Sequence, residues 1–207
     1  MVSACLQRQL PVVLTLHDYF TACPNGGFYN FQKKSVCHLD AMSSACLLSN
    51  CDSRSYPQKL WRFLRQVVAA RAGVPSAINN FIYVSEFSRK VLSDYLPGAA
   101  TFWNVPNPID IEKKPLSNPG RSDVFTFVGR FSPEKGCELF AEAVRNSGVR
   151  ARFVGDGELL GYLKTVAPDA EFTGWADRGE VSNFISGSRA VVFPSQLYET
   201  QGMVVAE

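Results

Sequence analysis

The chain has 207 residues, 46% of them hydrophobic and 19% charged, with a formal net charge of +2. That balance suits a packed core in one large or two smaller domains, and it excludes a disordered chain or one whose charge points to a nucleic-acid partner. No apolar stretch reaches the about 18 residues of a bilayer span and no signal-peptide order opens the chain, so a cytoplasmic location is expected.

Residues 1–10 read as a helix tail feeding a strand. The apolar run 11–16 (PVVLTL) stops at His17-Asp18, as a buried parallel strand does when its carboxyl end presents functional side chains. Residues 19–56 lack periodicity, and a loop of that length is expected to have a staple of its own. Cys23, Cys37, Cys46 and Cys51 lie here at spacings of 14, 9 and 5, with His38 adjacent. Four thiols make a structural zinc site one candidate for the staple, although no C-x2-C pair is present. Buried or free cysteines are the other reading.

The spacing predicts a helix over 59–71. Its Leu60, Trp61, Leu64, Val67 and Val68 would pack inward, and Lys59, Arg62, Arg65 and Arg71 would form a solvated face or rest on an anionic membrane. A strand is expected at 81–84 and a helix at 86–95, closed by Pro97-Gly98. Residues 104–110 (NVPNPID) form a stiff crossing, because each proline pushes its predecessor towards extended backbone. This crossing divides the chain into domains 1–107 and 108–207, with a cysteine-containing insertion at about 19–56.

The second half alternates between strand-like runs at 124–128, 152–154, 171–173 and 190–193 and helical stretches at 133–146, 158–167 and 180–186. Alternation at this spacing means βαβ units and a parallel sheet, hence the α/β class. Ser132-Pro133 reads as a helix start, and Asp177 with Glu180 as a capping box. The chain stops inside an expected helix, so both domains read as incomplete. If that piece stands alone, its open sheet edges predict an unstable, inactive protein.

Ligands of a parallel α/β sheet bind outside the carboxyl ends of the strands, where helix N-termini offer free N–H groups. Four such ends carry notable residues. In 127–136 (FVGRFSPEKG), Gly129 allows close backbone approach, and Arg130 and Lys135 supply two cations suited to a diphosphate, or to plain solvation. In 154–158 (VGDGE), Gly155 and Gly157 permit a tight turn, with Leu160 where a dinucleotide fingerprint would have its third glycine. Trp175 follows the third strand, explained equally by a ligand face or by core packing. After the fourth, Glu199 and Glu207 stand eight positions apart around Gly202, the pair able to grip hydroxyls while the helix amides face a phosphate.

VGRFSPEKG, VGDGE and PSQLYETQGMVVAE together resemble the donor-binding domain of the family-4 retaining glycosyltransferases (glycosyltransferase group 1), with Glu199 and Glu207 as its E-x7-E motif. PVVLTLHDY, VSEFSRKVL and NVPNPID are similar to that family's acceptor domain and inter-domain crossing. The resemblance implies the GT-B architecture of two Rossmann-like domains and a role in polysaccharide biosynthesis. It also implies transfer of a sugar from a UDP- or GDP-sugar to a glycan or lipid-linked acceptor, with retention of configuration and no cofactor required for catalysis. Carried over, Arg130 and Lys135 hold the donor diphosphate, Glu199 the sugar hydroxyls, Glu207 the ribose, and the amides of Gly202 and Met203 a phosphate or the sugar. His17 and Asp18 lie on the acceptor side near the reacting carbon, and His17 joins Arg130, Lys135 and Glu199 as a catalytic residue. Gln201 stands where the family commonly has phenylalanine, and little effect on the chemistry is expected. Two rivals remain: a nucleotide-sugar-binding module that has lost catalysis, and a nicotinamide dehydrogenase, disfavoured by the missing glycine fingerprint.

Overall fold

The computed structural model describes residues 2–109 and 118–206. It divides into two compact units, one of residues 1–108 with Leu197–Gln201 and one of residues 109–196 with 202–207. Both are α/β with parallel sheets, the class expected from the sequence.

In the first unit, α1 (Val2–Gln7) leads into β1 (Val13–Leu16). A two-stranded antiparallel ribbon follows, β2 (Tyr29–Asn30) with β3 (Ser35–Val36), then the short α2 (Ser44–Leu48) and the long α3 (Tyr56–Arg71). The unit continues with β4 (Asn80–Tyr83), α4 (Glu86–Leu92) and β5 (Thr101–Asn104), and its parallel sheet runs β1-β4-β5. The ribbon and β5 were not anticipated: β2 and β3 are too short to show alternation, and the polar ends of the run Thr101–Asn104 hide a strand. Leu16, Tyr19, Phe28, Ile78, Phe81 and Leu92 form the centre of the core.

The helix α3 is where the sequence reading needs correction. It ends at Arg71 as expected but begins three residues early, at Tyr56, with Ser55 capping the Gln58 N–H, and most of the face expected to pack inward is turned outward. Lys59 is fully buried, while Leu60, Trp61, Leu64 and Val68 are exposed. The cause lies in the loop it covers. Lys59 Nζ donates to the carbonyls of Cys46, Leu47 and Ser49, which satisfies all three ammonium protons and caps the carboxyl end of α2. Arg62 pairs with the fully buried Asp52 at 3.0 Å, and Gln66 Nε2 donates to the carbonyls of Phe20 and Thr21. A loop rich in unpaired carbonyls demands donors, and the helix turns its polar side inward to supply them.

The second unit contains β6 (Val124–Val128), α5 (Cys137–Ser147), β7 (Arg150–Val154), α6 (Leu160–Val166), β8 (Glu171–Gly174), α7 (Arg178–Ser186), β9 (Ala190–Val191) and α8 (Met203–Ala206). Its parallel sheet runs β8-β7-β6-β9. The Asp177–Glu180 capping box is present with both of its hydrogen bonds at 2.9 Å. The expected helix at 133–146 starts later: residues Pro133–Lys135 form a 3-10 turn, and Gly136 at φ 71° breaks the run before α5 begins. Phenylalanines 127, 131, 140, 153 and 172 pack as one cluster, Phe153 stacked on Phe172 at 4.9 Å. This aromatic layer fixes the sheet beneath the loops that carry the candidate site.

Candidate functional site

At the carboxyl edge of the second unit's sheet, three strand-to-helix turns are locked together by their backbones. The N–H of Gly129 donates to Val154 O at 3.0 Å, that of Phe131 to Asp156 O at 2.9 Å, and that of Gly155 to Gly174 O at 2.9 Å. Glycine is required because the chains nearly touch. A Cβ on Gly155 would lie 2.0 Å from Gly129 O, and one on Gly157 would lie 2.5 Å from Phe131 O. These missing side chains make room for neighbouring backbone. Gly136 is held the same way against the segment after β9, where a Cβ would meet Pro194 O at 2.0 Å. Glu134 O, one turn earlier, accepts the N–H of Gln196 at 2.9 Å.

This frame positions the polar side chains. Arg130 is exposed on the first turn, and Lys135 is half-buried within the 3-10 turn that follows. Trp175, directly after β8, is 81% exposed, which removes core packing as its explanation. The unit therefore brings a cationic loop and a bare indole to one edge of one sheet. Gly202 takes φ 64° beside the Phe193 ring, and half-buried Met203 begins α8. Glu207 lies outside the described residues.

Glu199 is placed differently. It belongs to the five-residue segment that packs with the first unit, where several contacts hold it. Tyr19 Oη donates to Glu199 O at 3.3 Å, Ser85 Oγ donates to Thr200 O, and Thr200 Oγ1 donates to His17 O at 3.2 Å. Gln201 Oε1 accepts the N–H of Asn107 at 2.8 Å, so the residue that departs from the family pattern holds the crossing segment. The Tyr198 ring lies against Tyr19, Phe28 and Phe87. Burial pushes the Tyr19 phenol well above its ordinary range, and Glu199 and Tyr198 add to the rise. His17 is exposed and Asp18 half-buried, its Oδ1 accepting the Phe20 N–H at 2.8 Å. The structure thus brings His17, Asp18 and the Glu199 segment into one unit. Tyr19, Ser85 and Tyr198 went unnoticed in the sequence, although all three sit inside or beside the motifs that stood out there.

The insertion is stapled by hydrogen bonds. Cys23 Sγ donates to Asn25 Oδ1 at 3.0 Å, and Asn25 Nδ2 donates to Tyr29 O at 2.7 Å and to Cys51 O at 3.2 Å. All six cysteines are free, and among the described residues no group of three or more His, Cys, Asp or Glu is arranged to hold a metal. Burial pushes the Cys51 thiol up to about 11, opposed by the Lys59 ammonium and assisted by Cys23, Cys46 and Cys37.

Residues 108–207 match the family described as Glycosyl transferases group 1. Over 88 residues, 42% of this chain and 21% of the relative, the sequence is 33% identical to a GDP-mannose-dependent alpha-mannosyltransferase of Corynebacterium glutamicum. An uncharacterized glycosyltransferase of Methanocaldococcus jannaschii is 27% identical over 135 residues, 62% of this chain and 37% of that protein. The chain therefore spans well under half the length of these relatives. Among solved structures, Anabaena HepE in complex with UDP-glucose superposes with a TM-score of 0.60 at 19% identity, over 99% of this chain and 52% of HepE. At that identity the likeness is one of fold.

Proposed function

We propose, from the premise that residues 108–207 belong to the glycosyl transferases group 1, that this chain is part of an enzyme moving a sugar from a UDP- or GDP-sugar to a glycan or lipid-linked acceptor with retention of configuration. The observation that carries the reading is that exposed Arg130, after β6, and the 81% exposed Trp175, after β8, both lie at the carboxyl edge of one sheet. A guanidinium and an indole bared at such an edge suit the two halves of a nucleoside diphosphate, the cation for its phosphates and the ring for its base. GDP-mannose and UDP-glucose, named for the Corynebacterium relative and the Anabaena structure, share this chemistry.

When the bond between the sugar and the diphosphate breaks, negative charge grows on the leaving group. Arg130 and Lys135 stabilise that charge from a loop whose backbone is held by the neighbouring turn, and this is the main catalytic contribution assigned to the protein. Glu199 accepts hydrogen bonds from the donor sugar hydroxyls, and Glu207 from the ribose. The amides of Gly202 and Met203 hold phosphate or sugar oxygen, and the turns at Gly129, Gly155 and Gly157 fix the loop that carries Arg130. His17 and Asp18 face the acceptor. The location proposed with this activity is cytoplasmic, at or near a membrane that carries the acceptor.

Calorimetric titration of UDP and GDP, with Arg130→Ala and Glu207→Gln variants, tests the proposal. One nucleotide should bind, and both variants should weaken it, Arg130→Ala by about a hundredfold. A folded protein that binds neither nucleotide overturns the reading. The structural zinc expected on Cys23, Cys37, Cys46 and Cys51 is not supported, because these thiols are free and form no metal-holding group among the described residues.

A further inference from the structure

The outer face of α3 is an apolar stripe with nothing laid on it among the described residues. Trp61 is 63% exposed, Leu64 52% and Val68 57%, and Leu60 lies beside them on the same side of the helix. These positions recur at helical spacing, so they form one continuous strip of surface. A soluble helix normally turns such a strip inward. Here the inward side is already occupied by Lys59, Arg62 and Gln66, which hold the insertion. The exposure is therefore built into the fold, and large apolar strips left in the open mark sites of interaction.

The charges around the strip indicate what it meets. Residues 54–71 contain Arg54, Lys59, Arg62, Arg65 and Arg71 and no acidic residue. Arg65 and Arg71 are exposed on the outer side, Arg65 with its guanidinium over the Phe20 ring at 5.0 Å. The first 75 residues carry eight Lys and Arg against three Asp and Glu, while the remaining residues are net acidic. A second copy of the same face would bring these cations together, which disfavours self-association. Beside the carboxyl end of α3 lies an apolar groove of about 540 Å³, lined by Val67, Ala70, Arg71, Val74 and Tyr95 among others.

We propose that α3 is a docking surface for an anionic lipid membrane. Trp61, Leu64 and Val68 enter the interface between headgroups and acyl chains, Arg65 and Arg71 pair with lipid phosphates, and the groove receives apolar lipid chain. A tryptophan suits that depth because its ring is apolar and its N–H finds a polar partner. No helix among the described residues is long and apolar enough to cross a membrane, so the contact lies in the membrane surface.

The test is flotation of the 207-residue chain with vesicles of phosphatidylcholine alone and of phosphatidylcholine mixed equally with phosphatidylglycerol. The protein should float with the mixed vesicles, and added salt should weaken the association. Trp61→Ser combined with Leu64→Ser should weaken it about tenfold or more, and so should Arg65→Glu combined with Arg71→Glu. Circular dichroism of each variant confirms that the fold is kept, as expected for changes at exposed positions. Three outcomes overturn the proposal: no flotation by folded protein, flotation indifferent to both pairs of changes, or a dimer in solution that the Trp61 and Leu64 changes dissociate.

Discussion

Single residues in the second unit separate into those that build the sheet edge and those that use it, and substitutions distinguish the two. Gly136 combines φ 71° with a Cβ position 2.0 Å from Pro194 O. Gly136→Ala must therefore displace backbone, and the expected cost is roughly 3 kcal/mol, read by thermal or urea unfolding. Trp175→Ala should behave in the opposite way. An indole 81% exposed contributes little to stability, so unfolding should be unchanged, while nucleotide affinity in calorimetry should fall about tenfold through lost stacking. The two kinds of role were unequally legible in the sequence. That Arg130 and Lys135 follow a strand end could be read, because an apolar run and the charges after it are visible in one dimension. That Gly155 makes room for Gly129 O could not, since the contact joins two turns 26 positions apart.

At the scale of elements, α3 shows how a polar loop can override hydrophobic periodicity. The helix itself was legible over 59–71, because local spacing sets it, while its first turn and the Ser55 cap were not read. Its orientation was not, because it depends on the carbonyls of Cys46, Leu47 and Ser49, which have no side-chain signature. Lys59→Met removes the donors and leaves three carbonyls without them, and it should cost on the order of 3 kcal/mol in unfolding experiments. The same loop gives stability a dependence on pH. The folded state keeps a proton on Cys51 up to about pH 11, above the ordinary thiol value of 9.0, so the unfolded chain gives up its proton first. That stabilisation is complete below pH 9 and is lost as pH rises towards 11. Melting temperature should therefore fall across that interval, and less steeply in Cys51→Ala.

For the molecule as a whole, the alternation of strands and helices in the second half was enough to assign the α/β class, because each βαβ unit is local. The first unit was harder to read. Its sheet joins Val13–Leu16 to Asn80–Tyr83 across an insertion whose order rests on Asn25, Lys59 and the Arg62–Asp52 pair. The segment Leu197–Gln201 was the least legible part. Tyr198, Glu199 and Thr200 look like an ordinary loop after β9, yet their partners are Tyr19, Ser85 and His17, over a hundred positions earlier. Tyr198→Ala, which removes the ring packed on Tyr19, Phe28 and Phe87, should loosen that segment. On the proposed function, it should lower the rate of sugar transfer while leaving UDP or GDP affinity within about twofold, because Arg130 and Trp175 lie on the other unit.

The placement of Leu197–Gln201 bears on modular engineering. The junction near residue 108 invites chimeras in which everything after it is exchanged for the corresponding part of a relative. Such a graft would also import a foreign version of these five residues, cut to fit someone else's Tyr19, Ser85 and Asn107. The exchange has two seams, one at the crossing and a second, inconspicuous one within the second half. A chimera that respects the second seam, keeping residues 197–201 native to the first unit, should fold and work where the single-cut version fails.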